Sequence, residues 1–316
     1  MSARKVRAMQ DFDFLLGVYD ETRMGGLHFR REAGPFLDNH GNAAPPVTSL
    51  KELAHVSRLV EEGDDSMPEY EKWLAMLIAP GTSLGGARPK ANFRDDDGRL
   101  WLAKFPAKDD RGDVGGWEYL MHVLATKAGI TLPDARPARL SASYTTFCSA
   151  RFDRIPTGRR MYASAMTLLE RQDGDAGASY LDLVEFISDN GAQGHVGSDL
   201  AELFRRVVFN VLVGNRDDHL RNHGFIREPS GWRLAPAFDI NPNRNKAEHA
   251  LALDTHDASP NMHIVMDTAD LYRLSAQAAR IIHDEVAKAI ADWREDAKRL
   301  GLPGVEIRQM ESVIQA

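Results

Sequence analysis

The 316-residue sequence contains one cysteine, Cys148, and therefore cannot form an internal disulfide bond. A single thiol is typical of proteins from a reducing compartment. No segment reaches the roughly 20 consecutive apolar residues of a membrane-spanning helix. The basic start, MSARKVRAMQDFDF, has too short an apolar run for a secretory signal. We therefore expect a cytoplasmic protein without a membrane segment.

The sequence also has fewer basic than acidic residues. Lysine and arginine number 39 against 46 aspartate and glutamate residues, which gives a net charge of −7. A protein whose main surface binds nucleic acid normally has a basic excess, so we expect any DNA contact to be made through a partner. Hydrophobic residues make up 43% of the chain, enough for one large domain or two lobes with a sizeable core.

The residue pattern divides the chain into a β-rich half and an α-rich half, with a boundary near 150–158. Residues 14–29 predict a hairpin, and residues 81–106 predict a second one around the acidic turn DDDG. A helix follows, with Asp113 as its N-cap and Gly129 as its C-terminal stop. This organisation predicts an α+β fold.

The most polar stretch, GNRDDHLRNHGF at residues 214–225, directly follows the clearest predicted helix, in which apolar residues repeat at i, i+3, i+4 and i+7. Asp217 and Asn222 are five residues apart, and a hairpin pattern then leads to Asp239. In protein kinases a catalytic-loop Asp accepts the hydroxyl proton, an Asn five residues later binds Mg²⁺, and a further Asp holds the metal.

The order helix, polar loop, hairpin and Asp favours a phosphoryl-transfer site over a surface turn. One carboxylate would meet the attacking hydroxyl, while an amide oxygen and a second carboxylate are the hard ligands that Mg²⁺ prefers. The alternative is a solvated loop, because the spacing of Asp217 and Asn222 alone is also typical of charged turns. On either interpretation Asp218 and Arg216 are surface charges or groups that face a substrate.

His219 and His223 are four residues apart, as two zinc ligands on a helix are. No glutamate in an HExxH frame accompanies them, and the one cysteine is distant in sequence. We therefore favour His219 as a residue that braces the loop by hydrogen bonding, with a zinc site as the alternative.

Lys104 shares one face of a predicted strand with Leu100 and Leu102. A lysine on an inward face is costly to bury without an anion, and nucleotide phosphates would serve. Glu118, on the next helix, is either its ion-pair partner or an exposed helix glutamate. The preceding glycine-rich stretch, GTSLGGARPK at residues 81–90, matches neither a Walker A motif nor GxGxxG. By pattern alone it is equally typical of a surface turn.

Five motifs together resemble the HipA family of bacterial serine/threonine kinases, the toxins of type II toxin–antitoxin modules. In chain order they are GTSLGGARPKA, LWLAKFP, RFDR, NVLVGNRDDHLRNHGF and LAPAFDINP. The resemblance covers residues 12–310. It implies a bilobal protein-kinase-like fold, with an N-lobe at 1–152 and a helical C-lobe at 153–316. The chain resembles the short form of the family, similar to HipT, which lacks an N-terminal subdomain, and a truncated or diverged homologue is the alternative.

The resemblance also implies Mg-ATP as cofactor and assigns roles to single residues. Asp217 matches the catalytic base, and Asn222 and Asp239 match the metal ligands. Ser83, with Thr82 beside it, matches the autophosphorylated position, where a phosphate would add negative charge at the site of the ATP phosphates. The residues that match nucleotide contacts are Gly85, Gly86, Ala87, Arg88, Pro89, Lys90, Lys104, Ala150, Phe152, His219, Leu220, Arg221, Asn222, Phe238 and Asp239.

By the same resemblance the partners are a helix-turn-helix antitoxin and a separate small protein that supplies the N-terminal subdomain. The implied substrate is an aminoacyl-tRNA synthetase, and DNA would be bound only through the antitoxin. The segment RRMYASAMTLL departs from the family pattern, which affects expected substrate contacts. Two alternatives stay open: a small-molecule or lipid kinase, because DxHxxN also resembles the catalytic loop of phosphoinositide kinases, and a pseudokinase that only binds partners.

Overall fold

The structure is a computed structural model. It describes residues 18–37, 44–62, 88–140, 144–172 and 177–315, together with the single residues 10, 12, 15, 16 and 175. The apolar pattern also predicts a helix at 68–79, and both this segment and the glycine-rich stretch up to Ala87 lie outside the described residues. In the first half of the chain the elements are α1 (Leu50–Glu62), β1 (Lys90–Arg94), β2 (Leu100–Lys104), α2 (Val114–Lys127), β3 (Ala135–Ala138) and β4 (Thr146–Ala150).

Four strands form an antiparallel sheet in the order β1-β2-β4-β3. On one face Phe93, Trp101 and Cys148 form a small core with Leu53 of α1. Side chains alternate along a strand, so Lys104, three positions after Trp101, points to the opposite face. Burial raises the pKa of the Cys148 thiol to about 12. The sheet thus has one closed apolar face and one face left for a site.

Helix α2 begins and ends where the sequence predicts. Asp113 is the N-cap, and its carboxylate accepts hydrogen bonds from the backbone of Gly116 at 3.0 Å and of Thr145 at 2.7 Å. Gly129, directly after the helix, has φ of +77°, a conformation that favours glycine. The helix packs against the second half of the chain, because Trp117 belongs to the larger hydrophobic core.

The second half contains mostly helices around one long central helix. Its elements are β5 (Arg154–Ile155), β6 (Gly158–Arg159), β7 (Tyr162–Ser164), α3 (Ala165–Leu168), α4 (Tyr180–Asn190), α5 (Val196–Val213), β8 (Gly224–Glu228), β9 (Gly231–Leu234), α6 (Met262–Asp267), α7 (Ala276–Ile290), α8 (Trp293–Arg299) and α9 (Gly304–Met310). The apolar face predicted for α5 is buried against α4, α6 and α7.

Helix α5 ends at Gly214, whose backbone is left-handed with φ of +67°. A Cβ at this position would lie 2.4 Å from a methyl group of Val313, so both the conformation and the close contact require glycine. The polar loop begins immediately after this residue. The helix end therefore fixes where the loop starts.

The hairpin predicted for residues 14–29 is wrong. Residues 18–29 form turns and bends with no strand among them, and Leu15 and Leu16 are helical. The carbonyl groups of this segment are bound by arginine side chains from a distant part of the chain: Arg154 contacts those of Glu21 and Arg23. Backbone groups satisfied in this way do not need a partner strand.

The antiparallel sheet in the first half and the helices of the second confirm the α+β class. The division into lobes at residue 152 stays a prediction. Within the described residues, no helix is both long and apolar enough to cross a membrane.

We expect Asp113→Ala to lower the free energy of unfolding by about 1–3 kcal/mol, because it removes a helix cap and leaves buried donors of Thr145 unpaired. Urea denaturation checks this value. Asp109→Ala, an exposed aspartate four residues earlier, is the matched control and should leave the free energy unchanged. Equal effects of the two substitutions would contradict this role of Asp113.

Candidate active site

A cavity of about 710 Å³ lies between the free face of the sheet and the polar loop. Its volume falls in the range of small-molecule and cofactor sites. The predicted site residues that line it are Lys90, Lys104, Ala150, Phe152, His219, Arg221, Asn222, Phe238 and Asp239. These residues come from five separate parts of the sequence, and folding brings them together.

The Lys104 ammonium is held between two carboxylates at this cavity. Its Nζ lies 2.6 Å from Oε1 of Glu118 and 2.7 Å from Oδ1 of Asp239. Glu118 is almost fully buried, so of the two alternatives for this residue the structure has the ion pair. The three side chains come from β2, α2 and the segment after β9. A single cation thus links three distant segments.

The three charges shift one another's protonation. Burial alone would lower the pKa of Lys104, but Asp239 and Glu118 more than offset it and hold that pKa above its ordinary value. Burial raises the pKa of Glu118, and Lys104 offsets this only in part. The neighbouring Lys104 ammonium lowers the pKa of Asp239. Asp239 is therefore the more firmly ionised of the two acids.

Asp239 has a left-handed backbone with φ of +59°, which is uncommon for a residue other than glycine and costs energy. The residue before it, Phe238, stacks on Phe152 with ring centroids 5.8 Å apart. Phe152 in turn contacts Tyr162 edge-on at 5.6 Å. The aromatic contacts anchor the chain just before the strained residue, and Asp239 meets Lys104.

Asp217 is exposed next to the cavity and does not line it. Its carboxylate is paired with the ammonium of Lys246. In the opposite direction, the Arg216 guanidinium donates to the carbonyl of Lys246 at 2.7 Å. The loop that carries Asp217 and the loop after Asp239 are therefore joined by two contacts, one to the side chain and one to the backbone of Lys246.

Asp218 is buried, so the prediction that it is a surface or substrate-facing charge is wrong. Its Oδ2 contacts His223 Nε2 at 2.7 Å and accepts hydrogen bonds from Tyr180 at 2.6 Å and Asn210 at 2.8 Å. Burial would raise the pKa of Asp218, but His223 and Tyr180 hold it below its ordinary value. This network fixes the polar loop to α4 and α5.

The hydrogen bond by which His219 is expected to brace the loop is not made by its Nδ1, which has no hydrogen-bond partner among the described residues. His219 instead lines the cavity. The bracing histidine is His223, four residues later. His223 thus holds the buried Asp218, while His219 faces the cavity.

Asn222 and Asp239 offer oxygen atoms suited to a hard cation. The Asn222 amide nitrogen points to the carbonyl of Asp217 at 3.4 Å, which leaves Oδ1 as the atom toward a ligand. Lys104 occupies Oδ1 of Asp239, so Oδ2 is the atom that a cation would take. In the described part of the chain no three His, Cys, Asp or Glu side chains could hold a metal alone. The amide oxygen of Asn222 and the carboxylate oxygen of Asp239 fit Mg²⁺, which is typically bound through one or two carboxylates together with substrate phosphate oxygens.

Three further predicted site residues, Arg88, Pro89 and Leu220, do not line the cavity. Arg88 makes a bidentate contact with Asp110 at 2.7 and 2.5 Å, and the carbonyl of Pro89 accepts from the backbone of Phe105. Leu220 is buried beneath the loop. Gly85, Gly86, Ala87, Ser83 and Thr82 fall outside the described residues.

Sequence reasoning missed three contributors. Lys246 lies in a loop whose composition gives no signal. Tyr162 and Met24 line the cavity, although Met24 falls in the segment predicted as a hairpin. For Tyr162 the nearby motif RFDR was a usable signal. Phe152 of that motif was already predicted to contact the nucleotide, so residues shortly after it were candidates for the same site.

Comparison with known proteins gives a family match. The family model described as "HipA-like C-terminal domain" matches residues 82–294, well over half of the chain. The predicted resemblance to the HipA family is thereby confirmed.

Individual relatives are more distant. The chain is 27% identical over 212 residues to "Putative kinase Y4dM" of Sinorhizobium fredii, covering 57% of this chain and 50% of that protein. It is 31% identical over 104 residues to a "Putative kinase" of Haemophilus influenzae, covering 30% of each. The chain thus spans half or less of the curated relatives it matches.

A solved structure shares the fold. It is HipA of Shewanella oneidensis MR-1, determined in a complex of that toxin–antitoxin system's HipA, HipB and operator DNA. The TM-score is 0.59 at 18% identity, over 74% of this chain and 63% of that one. The likeness shows that the two proteins have a common fold.

We expect Lys104→Met to destabilise the protein at pH 7, because it leaves Glu118 buried and charged without a cation. Protonation relieves this cost. The pKa of Glu118 is raised in the folded state, so the variant should regain stability as pH falls from that raised value towards about 4.3, the ordinary value for glutamate. Urea denaturation at pH 7 and pH 5 measures the change.

The double variant Lys104→Met with Glu118→Gln is the control. It carries no buried carboxylate at position 118, so the gain on acidification should disappear. A gap between wild type and Lys104→Met that stays constant with pH would contradict the assignment of the buried charge to Glu118.

Proposed function

We propose that this chain, which belongs to the HipA-like C-terminal domain family, is a Mg-ATP-dependent serine/threonine protein kinase. The observation that carries the proposal is the Lys104 ammonium, 2.6 Å from Glu118 and 2.7 Å from Asp239, in one cavity with Asn222. A lysine paired with a helix glutamate beside a metal-binding acid is the arrangement that protein kinases use for ATP.

Different residues of the chain would bind the phosphates, hold the cation and accept the proton. Mg²⁺-bound ATP supplies the phosphoryl group, and the cation neutralises charge on the phosphates. Lys104 and Lys90 would hold phosphate oxygens, while Asn222 and Asp239 would provide oxygen ligands to the cation. Asp217 would accept the proton of the attacking hydroxyl as the oxygen forms its bond to phosphorus and the bond to the ADP oxygen breaks.

For this step Asp217 needs one carboxylate oxygen that is free to accept the hydroxyl proton. Asp217 has two carboxylate oxygens, and Lys246 contacts Oδ1. Oδ2 is then the atom that would face the substrate. The position of Asp217 outside the cavity wall supports a base that meets a large substrate from solvent, as a protein hydroxyl would require.

We further propose that the chain is the toxin of a toxin–antitoxin module. HipA of Shewanella oneidensis, which shares its fold, was solved with HipB and operator DNA. By analogy the partner would be a DNA-binding antitoxin, and this chain's net charge of −7 supports indirect contact with DNA. An aminoacyl-tRNA synthetase is the proposed substrate, and a separate small subdomain protein the proposed further partner.

Asp217→Asn should lower phosphate transfer by about 100- to 10,000-fold, the contribution typical of a general base, while ATP binding is retained. Autophosphorylation with radiolabelled ATP and calorimetric ATP titration measure the two properties. Asp284→Asn, at an aspartate that is 70% exposed on α7, is the control and should transfer phosphate normally. Full transfer by Asp217→Asn would rule out its role as base.

Incubation with Mg-ATP should place phosphate on Ser83 or Thr82, because that loop would lie at the ATP phosphates and negative charge there opposes their binding. Intact-mass and peptide mass spectrometry identify the position. Ser83→Ala with Thr82→Ala should remove the modification and keep the kinase active for longer. Phosphate found only at other residues would refute this form of self-inhibition.

A further inference from the structure

Helix α2, which carries Glu118, is attached at its first turn to helix α9. The Glu306 carboxylate on α9 accepts a hydrogen bond from the indole nitrogen of Trp117 at 2.8 Å. It also accepts one from the backbone nitrogen of Asp113, the N-cap of α2, at 3.1 Å. A negative charge beside the first turn of a helix is favourable for the helix dipole. Glu306 thus holds the start of a helix that lies 189 residues earlier in the sequence.

The attachment continues along α2 through helix α8. At the last residue of α2, the Lys127 ammonium lies 2.6 Å from the carboxylate of Asp296, which is almost fully buried. Trp117 also packs on Trp293 with ring centroids 6.1 Å apart, and both side chains are buried. Because polar contacts hold both ends of α2 and an aromatic contact lies between them, sliding of α2 along α8 and α9 is opposed at three points.

Two glycines let the first turn of α2 lie close to both of its neighbours. A Cβ at Gly115 would lie 2.1 Å from the carbonyl oxygen of Thr145, next to β4, so this position requires glycine. A Cβ at Gly116 would lie 2.8 Å from a methyl carbon of Leu302, which would have to move. The first turn of α2 is therefore enclosed between the sheet and the turn that leads into α9.

The orientation of α2 about its axis determines where Glu118 points. Successive residues of a helix are about 100° apart around the axis and rise by about 1.5 Å. Trp117 faces α8 and α9, and Glu118, the next residue, is turned to the Lys104 ammonium at 2.6 Å. A shift of α2 by one residue would break both contacts. Glu306 therefore fixes, through Trp117, the position from which Glu118 reaches Lys104.

Helix α9 and the residues after it also contact the other parts of the candidate site. Val313, three residues after α9, lies against Gly214, where the polar loop starts. Arg244, five residues after Asp239, donates a hydrogen bond to the side chain of Gln309 on α9. One short segment therefore contacts α2, the polar loop and the chain that supplies Asp239.

We propose that Glu306 is a positioning residue for phosphate transfer, which holds α2 so that Glu118 stays paired with Lys104. This inference rests on the proposed kinase function, since a protein kinase transfers phosphate only when its lysine–glutamate pair is in place. Glu306 does not line the cavity and acts through α2. The alignment of the pair is thereby set by helices α8 and α9 of the same chain.

Glu306→Ala removes the acceptor for both donors of α2. Because a displacement of about 1 Å in a catalytic group can cost up to about 100-fold in rate, we expect autophosphorylation from radiolabelled Mg-ATP to fall about 10- to 100-fold. Glu118→Gln, which removes the ion pair directly, should lower the rate at least as much. The double variant should be no slower than Glu118→Gln alone, because the anchor acts through Glu118.

Glu311→Ala is the matched control, at an exposed glutamate after α9 whose carboxylate contacts Arg294 of α8. It should transfer phosphate as wild type does. Trp117→Phe keeps an aromatic ring in the core and removes only the indole donor, so it should show a smaller loss in the same direction. This variant tests the anchor even where Glu306→Ala does not fold, and a urea denaturation midpoint reports the folding of each variant.

Normal transfer by folded Glu306→Ala and Trp117→Phe overturns the inference. So does a double variant that is slower than Glu118→Gln by the full factor of Glu306→Ala, since independent losses place the role of Glu306 outside the ion pair. If wild-type protein transfers no phosphate, the proposed function fails, and urea midpoints of the same four proteins test the anchor alone. The midpoint shift caused by Glu118→Gln should then be smaller in the Glu306→Ala background than in wild type, and equal shifts overturn the positioning role.

Discussion

A buried ammonium group stays charged in a folded protein only if anions lie beside it. Lys104 meets this condition with Glu118 on a helix and Asp239 on a loop 135 residues away. No two of these residues are neighbours in sequence, so the pairing forms only when β2, α2 and the segment after β9 are all in place. The cation thus converts a local electrostatic requirement into a constraint on the tertiary fold.

A second polar network supports the loop that faces this cluster. Asp218 is satisfied by His223, Tyr180 and Asn210, and its neighbour Asp217 is left exposed. Two adjacent aspartates in one turn therefore differ in environment, since Asp218 is buried and Asp217 is exposed. The buried acid pins the loop, which gives the exposed acid a defined position at the edge of the cavity. The division follows from which side of the loop faces the core.

Local patterns predicted the parts of the fold that local interactions determine. The apolar periodicity of α5 and the caps of α2 depend on residues within a few positions of one another, and both predictions are confirmed. The ion pair of Lys104 with Glu118 was one of two alternatives for Glu118. The position of Lys104 on an inward strand face predicts that its charge is buried, but it does not identify the anionic partner. The α+β class followed from the same patterns.

The errors fall where distant groups replace local partners. The segment 14–29 has the composition of a hairpin, yet Arg154 and Asp153 take its backbone groups, and no short-range pattern encodes that. Asp218 resembled a surface charge because two of its three partners, Tyr180 and Asn210, come from two helices outside the loop. Lys246 gave no signal, since a lysine in a polar loop is ordinary until the fold brings it to Asp217.

The burial of Cys148 has a practical consequence. Thiolate is the reactive form of cysteine, and burial raises the pKa of Cys148 to about 12, which disfavours that form at pH 7. The side chain is also enclosed in the small core of the sheet. We therefore expect that the native protein does not react with maleimide reagents. A cysteine introduced at an exposed position such as Leu27 would then be the labelled residue, so a fluorophore could be attached there without removal of the natural thiol.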